Sequence, residues 1–222
     1  MSRVNRTTAT QSLSVSFAVG LYGIAFGAAG IAAGFSILQT CLLSLLTFSG
    51  ASQFAVVGVM GAGGSALSGI ATASLLGIRN TLYGLRMAPI LKVRGWKKVV
   101  AAQITIDEST GVAIGQENLG REAMQHGFWL TGFGVYVLWN FFTLLGALGA
   151  QAMGNPSAWG LDAAVPAAFL GLVWPRIVSG FERTLAVTAL LLAILLSPYI
   201  PAGLPIILTA LLAVIFGWRT RV

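Results

Sequence analysis

The stretch Ile104-Thr105-Ile106-Asp107-Glu108-Ser109-Thr110 sets two adjacent carboxylates inside a run, Val99 to Asn118, that is otherwise mostly apolar or small. The other long apolar runs keep their acids at the ends or have none. At membrane depth a carboxylate costs several kcal/mol unless it faces a water-filled cavity, meets a partner or takes up a proton. The chain must therefore fold around this stretch, or else present 99–118 as a surface helix with solvated acids.

Membrane depth is the relevant frame because 56% of the 222 residues are hydrophobic and only 9% are charged. Soluble domains carry roughly 25% charged residues, so an integral membrane protein is expected. The length suits one domain of six to eight apolar segments, at about 20 residues per crossing. Net charge +7 does not imply nucleic acid, since six of the thirteen basic residues crowd between Arg79 and Lys98. Such residues are retained on the cytoplasmic side, facing anionic headgroups. Cys41 alone excludes an internal disulfide, and His126 alone argues against zinc. The pattern Gly61-Ala62-Gly63-Gly64-Ser65-Ala66 mimics a dinucleotide loop but no strand precedes it, and no P-loop motif is present. With no Ser/His pair or ligand cluster, no enzyme, metal or cofactor is expected. Ser2 to Ser12 is polar, and the apolar run after it is too long for a cleaved signal, so it reads as a retained first helix.

That first run, Leu13 to Phe35, carries Gly20, Gly23, Gly27, Gly30 and Gly34 at alternating steps of three and four. The spacing forms one stripe on a helix, suited to close packing or to a helix loosened near Gly23–Gly27. Ile37 to Met60 holds Phe48-Ser49-Gly50-Ala51-Ser52-Gln53-Phe54 at its middle, a polar patch that bonds neighbouring helices or lines a broken helix. In Gly61 to Met87, Arg79 and Asn80 lie inside the end of the run; Arg79 either snorkels to the headgroups or reaches an acid such as Asp107. The later runs are 127–150, 161–174, 184–199 and 204–218. Trp129, Trp139, Trp159, Trp174 and Trp218 lie near several ends, as an aromatic belt would.

Charge then constrains topology. The links 117–126 and 176–183 and the tail from Arg219 to Arg221 are basic or mixed, whereas 151–159 and 198–203 carry no charge. Alternation places the first set inside, together with 92–98. Hence 99–118 dips in and returns or lies within the protein, and one of the first three runs is interrupted, most simply at Phe48–Gln53, unless the N-terminus lies outside. The expected fold is an all-α integral membrane protein: a polytopic helical bundle of about six crossings plus two broken or re-entrant segments. It forms one transport domain over 1–222, with an N-terminal helical group at 13–90, the polar segment 99–118 and a C-terminal group at 127–219.

These residues resemble the AzlC family, whose BrnF-like members are large subunits of branched-chain amino acid exporters. The resemblance rests on Gly23-Ile24-Ala25-Phe26-Gly27, the run Phe48 to Phe54, Arg79-Asn80-Thr81-Leu82-Tyr83 with Ala88-Pro89, Thr105 to Ser109, and Gly160-Leu161-Asp162 leading to Phe169-Leu170. It departs from the family around Arg79, where Gly77 and Asn80 replace the usual flanking Asn and His. The resemblance implies an exporter of valine, leucine, isoleucine and, in some members, methionine, in the bacterial cytoplasmic (inner) membrane. It also implies a small AzlD-type (BrnE-like) membrane subunit as partner.

A zwitterion with an aliphatic tail needs an acceptor for its ammonium, donors for its carboxylate and an apolar slot. Asp107 or Glu108 suits the ammonium or a proton, and backbone N–H groups near Ser49–Gln53 suit the carboxylate. Phe26, Phe48 and Phe54 suit the slot. Gly23, Gly27, Gly50, Ser52, Arg79, Asn80 and Ser109 complete the candidate set. Asp107 is expected to titrate, and Glu108, about 100° around a helix, to face the same cavity less well. The leading expectation is a proton-coupled exporter. The rival is a channel, or a permease subunit driven by an external ATPase, for another small solute.

Overall fold

The computed structural model describes residues 3–160 and 163–219; Leu161, Asp162, Thr220 and Arg221 lie outside them. All regular structure among the described residues is helical. Helix α1 (Arg3–Ala32) and helix α7 (Arg121–Ala152) form the central pair. Their contacts rise together along both chains, so the two helices run parallel. Gly127 lies at Thr8, Gly134 at Ser16, Gly20 at Leu138, and Gly27 at Thr143 and Ala147. The glycine stripe is thus spent on backbone-to-backbone approach. Helix α1 starts well upstream of Leu13 because Thr8, Ser12 and Ser16 continue the same stripe and are fully buried. Thr8 donates to Gln116 Oε1 at 3.0 Å and Ser16 to the Thr131 carbonyl at 3.3 Å, so polarity here serves packing.

Both expected interruptions are present, and at each one the chain reverses. Helix α2 (Ile37–Leu46) starts from a capping box in which Ser36 and Gln39 satisfy each other's backbone N–H. It runs from Gly30, where Thr40 packs, to Thr143, which Ser44 touches. After an extended Ser49, helix α3 (Gly50–Gly61) leads back from Trp139 to Ala33, beside the end of α1. Helix α4 (Ala66–Leu91) then traverses the bundle, from Ser52, which bonds Ala73, to Arg121 and Gln125, which both donate to the Ile90 carbonyl. It stops at Lys92 in a left-handed conformation, one turn after Pro89. Helix α5 (Trp96–Gln103) climbs until Gln103 donates to the Leu45 carbonyl, and helix α6 (Asp107–Gly115) returns to Gln116 beside Gln11. The two hairpins therefore enter from opposite ends and their tips meet.

A third interruption was not legible in the sequence. Helix α8 (Ala164–Val173) passes Gly58 at Val165 and Phe54 at Phe169, then ends in a 3₁₀ turn, Trp174–Arg176. Helix α9 (Gly180–Leu196) runs back, so that Gly203 packs on Val59 and Ser68, and helix α10 (Leu204–Arg219) descends beside it. Arg176, expected in a link at the basic end, instead reaches Asp107, because a half-buried carboxylate attracts a cation within reach. Trp139 is likewise no belt residue: it is buried in the core and donates to Gln53.

The surface is unlike that of a soluble monomer. Leu190, Leu191, Ile194 and Leu195 of α9 and Leu211, Val214 and Ile215 of α10 all stand exposed. By length and composition, Arg6–Ala32 and Arg121–Ala152 could each cross a bilayer. The ends of the bundle differ in charge. The links 33–36, 62–65, 153–160 and 197–203 at one end carry none outside Leu161 and Asp162, while Lys92, Arg94, Lys97, Lys98 and Arg121 gather at the other.

A Cβ on Gly27 would collide with the Thr143 carbonyl and the Ala147 amide, neither of which can move without shifting α7. Gly27→Leu is expected to destabilise by at least ~3 kcal/mol, the upper range for overpacking. Gly111→Ala, where nothing lies within 4 Å, should stay within ~0.5 kcal/mol. Thermal unfolding of the two purified variants in detergent checks the contrast.

Candidate functional site

Where the hairpin tips meet, a cavity of about 110 Å³ opens, several times what one water needs. Val19, Phe48, Phe54, Ile106, Val135 and Trp139 make most of its wall, and Tyr22 contributes from α1. Gly50 and Ala51 line it from the start of α3, Asp107 and Glu108 from the start of α6, and Arg79 from α4.

Each polar group is there for a local reason. No side chain caps α3, so its first N–H groups have no acceptor among the described residues and its positive dipole end faces the cavity. At α6 the Ser109 hydroxyl donates to the Ile104 carbonyl at 2.8 Å and accepts from the Ile106 N–H at 3.1 Å, which fixes the bend and aims the first turn. Both acids sit in that turn, where the helix dipole favours negative charge. Asp107 Oδ2 accepts from Arg79 Nη1 at 3.0 Å and from Arg176 Nη2 at 3.5 Å. Its charge is committed to two guanidiniums. Glu108 has no cation within 4 Å among the described residues and lines the cavity all the same. Glu108, expected to face the cavity less well than Asp107, lines it as Asp107 does. Side chains lean toward a helix's N-terminus, so two first-turn residues both reach the space ahead of the tip.

The remaining candidates divide by location. Phe48 and Gly50 line the cavity, and Phe26 stands behind it, packed against Phe54 and Trp139. Gly23 and Gly27 serve the α1–α7 contact. Gln53 donates to the Ser44 and Thr47 carbonyls and accepts from Trp139 Nε1, so it closes the first hairpin rather than lining the cavity. Ser52 bonds Ala73, and Ser109 holds the second bend. Ser49 and Asn80 face two grooves outside the cavity. Sequence reasoning missed Val19, Tyr22, Ile106, Val135, Trp139 and Arg176, none of which stands out from its apolar or loop surroundings.

An all-helical bundle with an apolar surface and a charged cavity where broken helices meet belongs to the class of membrane transport proteins. The chain belongs to the AzlC family: the family model described as AzlC protein matches residues 14–153. It is similar to the Inner membrane protein YgaZ of Escherichia coli (strain K12), at 28% identity over 179 residues, covering 77% of this chain and 71% of that protein. No solved structure matches the chain.

Asp107→Asn leaves Arg79 and Arg176 facing a neutral amide. The pair is neither fully exposed nor fully buried, so the expected loss is ~1–3 kcal/mol of stability. Adding Arg79→Gln should recover part of it, and a double-mutant cycle on thermal unfolding measures the coupling.

Proposed function

We propose that this chain is the large subunit of a two-component, proton-coupled exporter of branched-chain amino acids in the bacterial inner membrane. The observation that carries the reading is the cavity itself: an apolar wall, an unpaired carboxylate and an uncapped helix start. The amino-acid carboxylate takes the N–H groups of Gly50 and Ala51, and the ammonium takes Glu108. The aliphatic tail lies against Phe48, Phe54 and Val135, a slot suited to valine, leucine, isoleucine or methionine. Asp107 remains on its arginines and holds the tips together.

Coupling follows from a single carboxylate serving two ligands. A protonated Glu108 cannot hold an ammonium, so proton and substrate compete for it. A carrier that exchanges one for the other across the membrane uses inward protons to drive outward amino acids. In this reading the basic end is cytoplasmic and the uncharged links are outside. Helices α1, α4 and α7 cross, the two central hairpins re-enter, and α9 and α10, of 17 and 16 residues, run side by side. Of the runs expected to make up about six crossings, α8 has ten residues, about 15 Å, half a hydrocarbon core.

Glu108→Gln keeps shape and hydrogen bonding but cannot titrate. Reconstituted with the small subunit, it should lose pH-gradient-driven leucine efflux to the protein-free background while remaining folded and abundant. Unaltered efflux from a folded Glu108→Gln protein contradicts the assignment.

A further inference from the structure

Helix α4 carries a second stripe of small residues, Ser74, Gly77, Thr81, Gly84 and Ala88, at steps of three, four, three and four. The spacing matches that of Gly20, Gly23, Gly27 and Gly30 on α1, where α7 fills the groove at the first three and Thr40 of α2 at the fourth. On α4 Ser52 touches the position of Gly77 at 3.5 Å, and beyond it the stripe is open among the described residues. Two cavities of about 510 Å³ each meet at Thr81 and run the length of the stripe. A Cβ on Gly84 would touch nothing within 4 Å. Two residues that line this groove carry buried polar atoms without partners. Ser49 is 7% exposed, lines the upper cavity, and its hydroxyl has no hydrogen-bond partner. Asn80 lines the lower one, and its buried Oδ1 is equally unpaired. Lys98 stands at the basic end of the groove.

We infer that this groove seats one transmembrane helix of a separate chain, supplied by the small subunit. The inference rests on the two-component reading and adds where and how the partner binds. Acyl chains could fill the volume but could not satisfy Ser49 or Asn80, and they need no stripe of small residues. A helix does both: its backbone approaches Gly77 and Gly84 closely, and a polar side chain at mid-length bonds the two orphans. Residues of α3 and α5 flank α4 along the groove, and Ile78 and Leu85 of α4 stand exposed in it as apolar contact surface for the incoming helix. The occupant is a convex apolar helix whose C-terminal end or an acidic residue lies toward Lys98, where the dipole and charge are complementary.

The test is assembly, measured apart from transport. The chain is co-expressed with the tagged small subunit and captured through that tag. Gly84→Phe should reduce the captured chain about tenfold or more, the loss expected when a central interface position is blocked. Gly149→Phe, at an exposed site on α7 with nothing within 4 Å, should leave capture unchanged. In a Cys41→Ser background, Gly84→Cys should form disulfides with single cysteines on one face of one subunit helix, recurring every three or four residues. Undiminished capture of Gly84→Phe overturns the inference, as does a Gly84→Cys cross-link joining two copies of this chain. Loss of co-purified phospholipid from Gly84→Phe with capture intact overturns it too, assigning the groove to lipid. Failure of the unsubstituted chain to be captured overturns the two-component reading and the docking with it. Failure of Glu108→Gln to stop efflux touches neither readout.

Discussion

A helix that ends inside a bundle leaves its last carbonyls without partners, and where lipid replaces water each such group costs several kcal/mol. The end of α2 meets this constraint in full. Gln53 donates to the Ser44 and Thr47 carbonyls, Gln103 to those of Leu45 and Leu46, and Tyr136 to that of Leu45. Three side chains from three elements cover four successive acceptors. The second tip relies on Ser109 and on Thr105, whose hydroxyl donates to the Ala101 carbonyl. Without these bonds neither hairpin could stop half-way, and no cavity would exist where they meet.

The same bonds tie the two tips to each other and to the central pair. Gln103 belongs to the second hairpin but caps the first, and Trp139 of α7 holds the Gln53 amide in the orientation that lets its nitrogen reach both carbonyls. Against that frame Asp107 draws Arg79 from α4 and Arg176 from the third interruption onto one oxygen. In the proposed mechanism one acid is thereby used as structure and its neighbour is left for a ligand or a proton. The division of roles rests on what each carboxylate touches, since both line the same space.

Much of this architecture was legible because lipid makes polar residues conspicuous. Phe48–Gln53 and Ile104–Thr110 stood out within apolar runs, and both are interruptions. Their roles were less legible. A buried Gln in an apolar run reads the same whether it holds a substrate or, as Gln53 does, the end of a helix. The start of α1 was hidden because Thr8, Ser12 and Ser16 replace Gly there and extend the stripe at steps of four. Trp139 resembled a belt residue because only its tertiary contacts, with Phe26, Phe54 and Gln53, place it in the core. Arg176 lay in a charged link, and nothing local to it pointed to an acid so distant in sequence. The glycines of α1 and the stripe of α4 share one pattern, and only the folded chain separates a filled groove from an open one.

The reversal of the chain between α5 and α6 carries the whole arrangement, since it delivers Asp107 and Glu108 to the centre and brings α7 back to the basic end. It is tested most directly by a distance between spin labels at Lys97→Cys and Glu117→Cys, in a Cys41→Ser background, by pulsed electron paramagnetic resonance. An uninterrupted helix over these twenty residues would separate the two sites by about 30 Å. The hairpin places both near the start of α7, where Lys97 shares a groove with Gln125 and the 3₁₀ turn at Glu117 leads directly into Arg121. A distance well below ~30 Å is the predicted result. A distance at or above that of a continuous helix would mean that 96–115 spans the bundle, and the central cavity as described here would not exist.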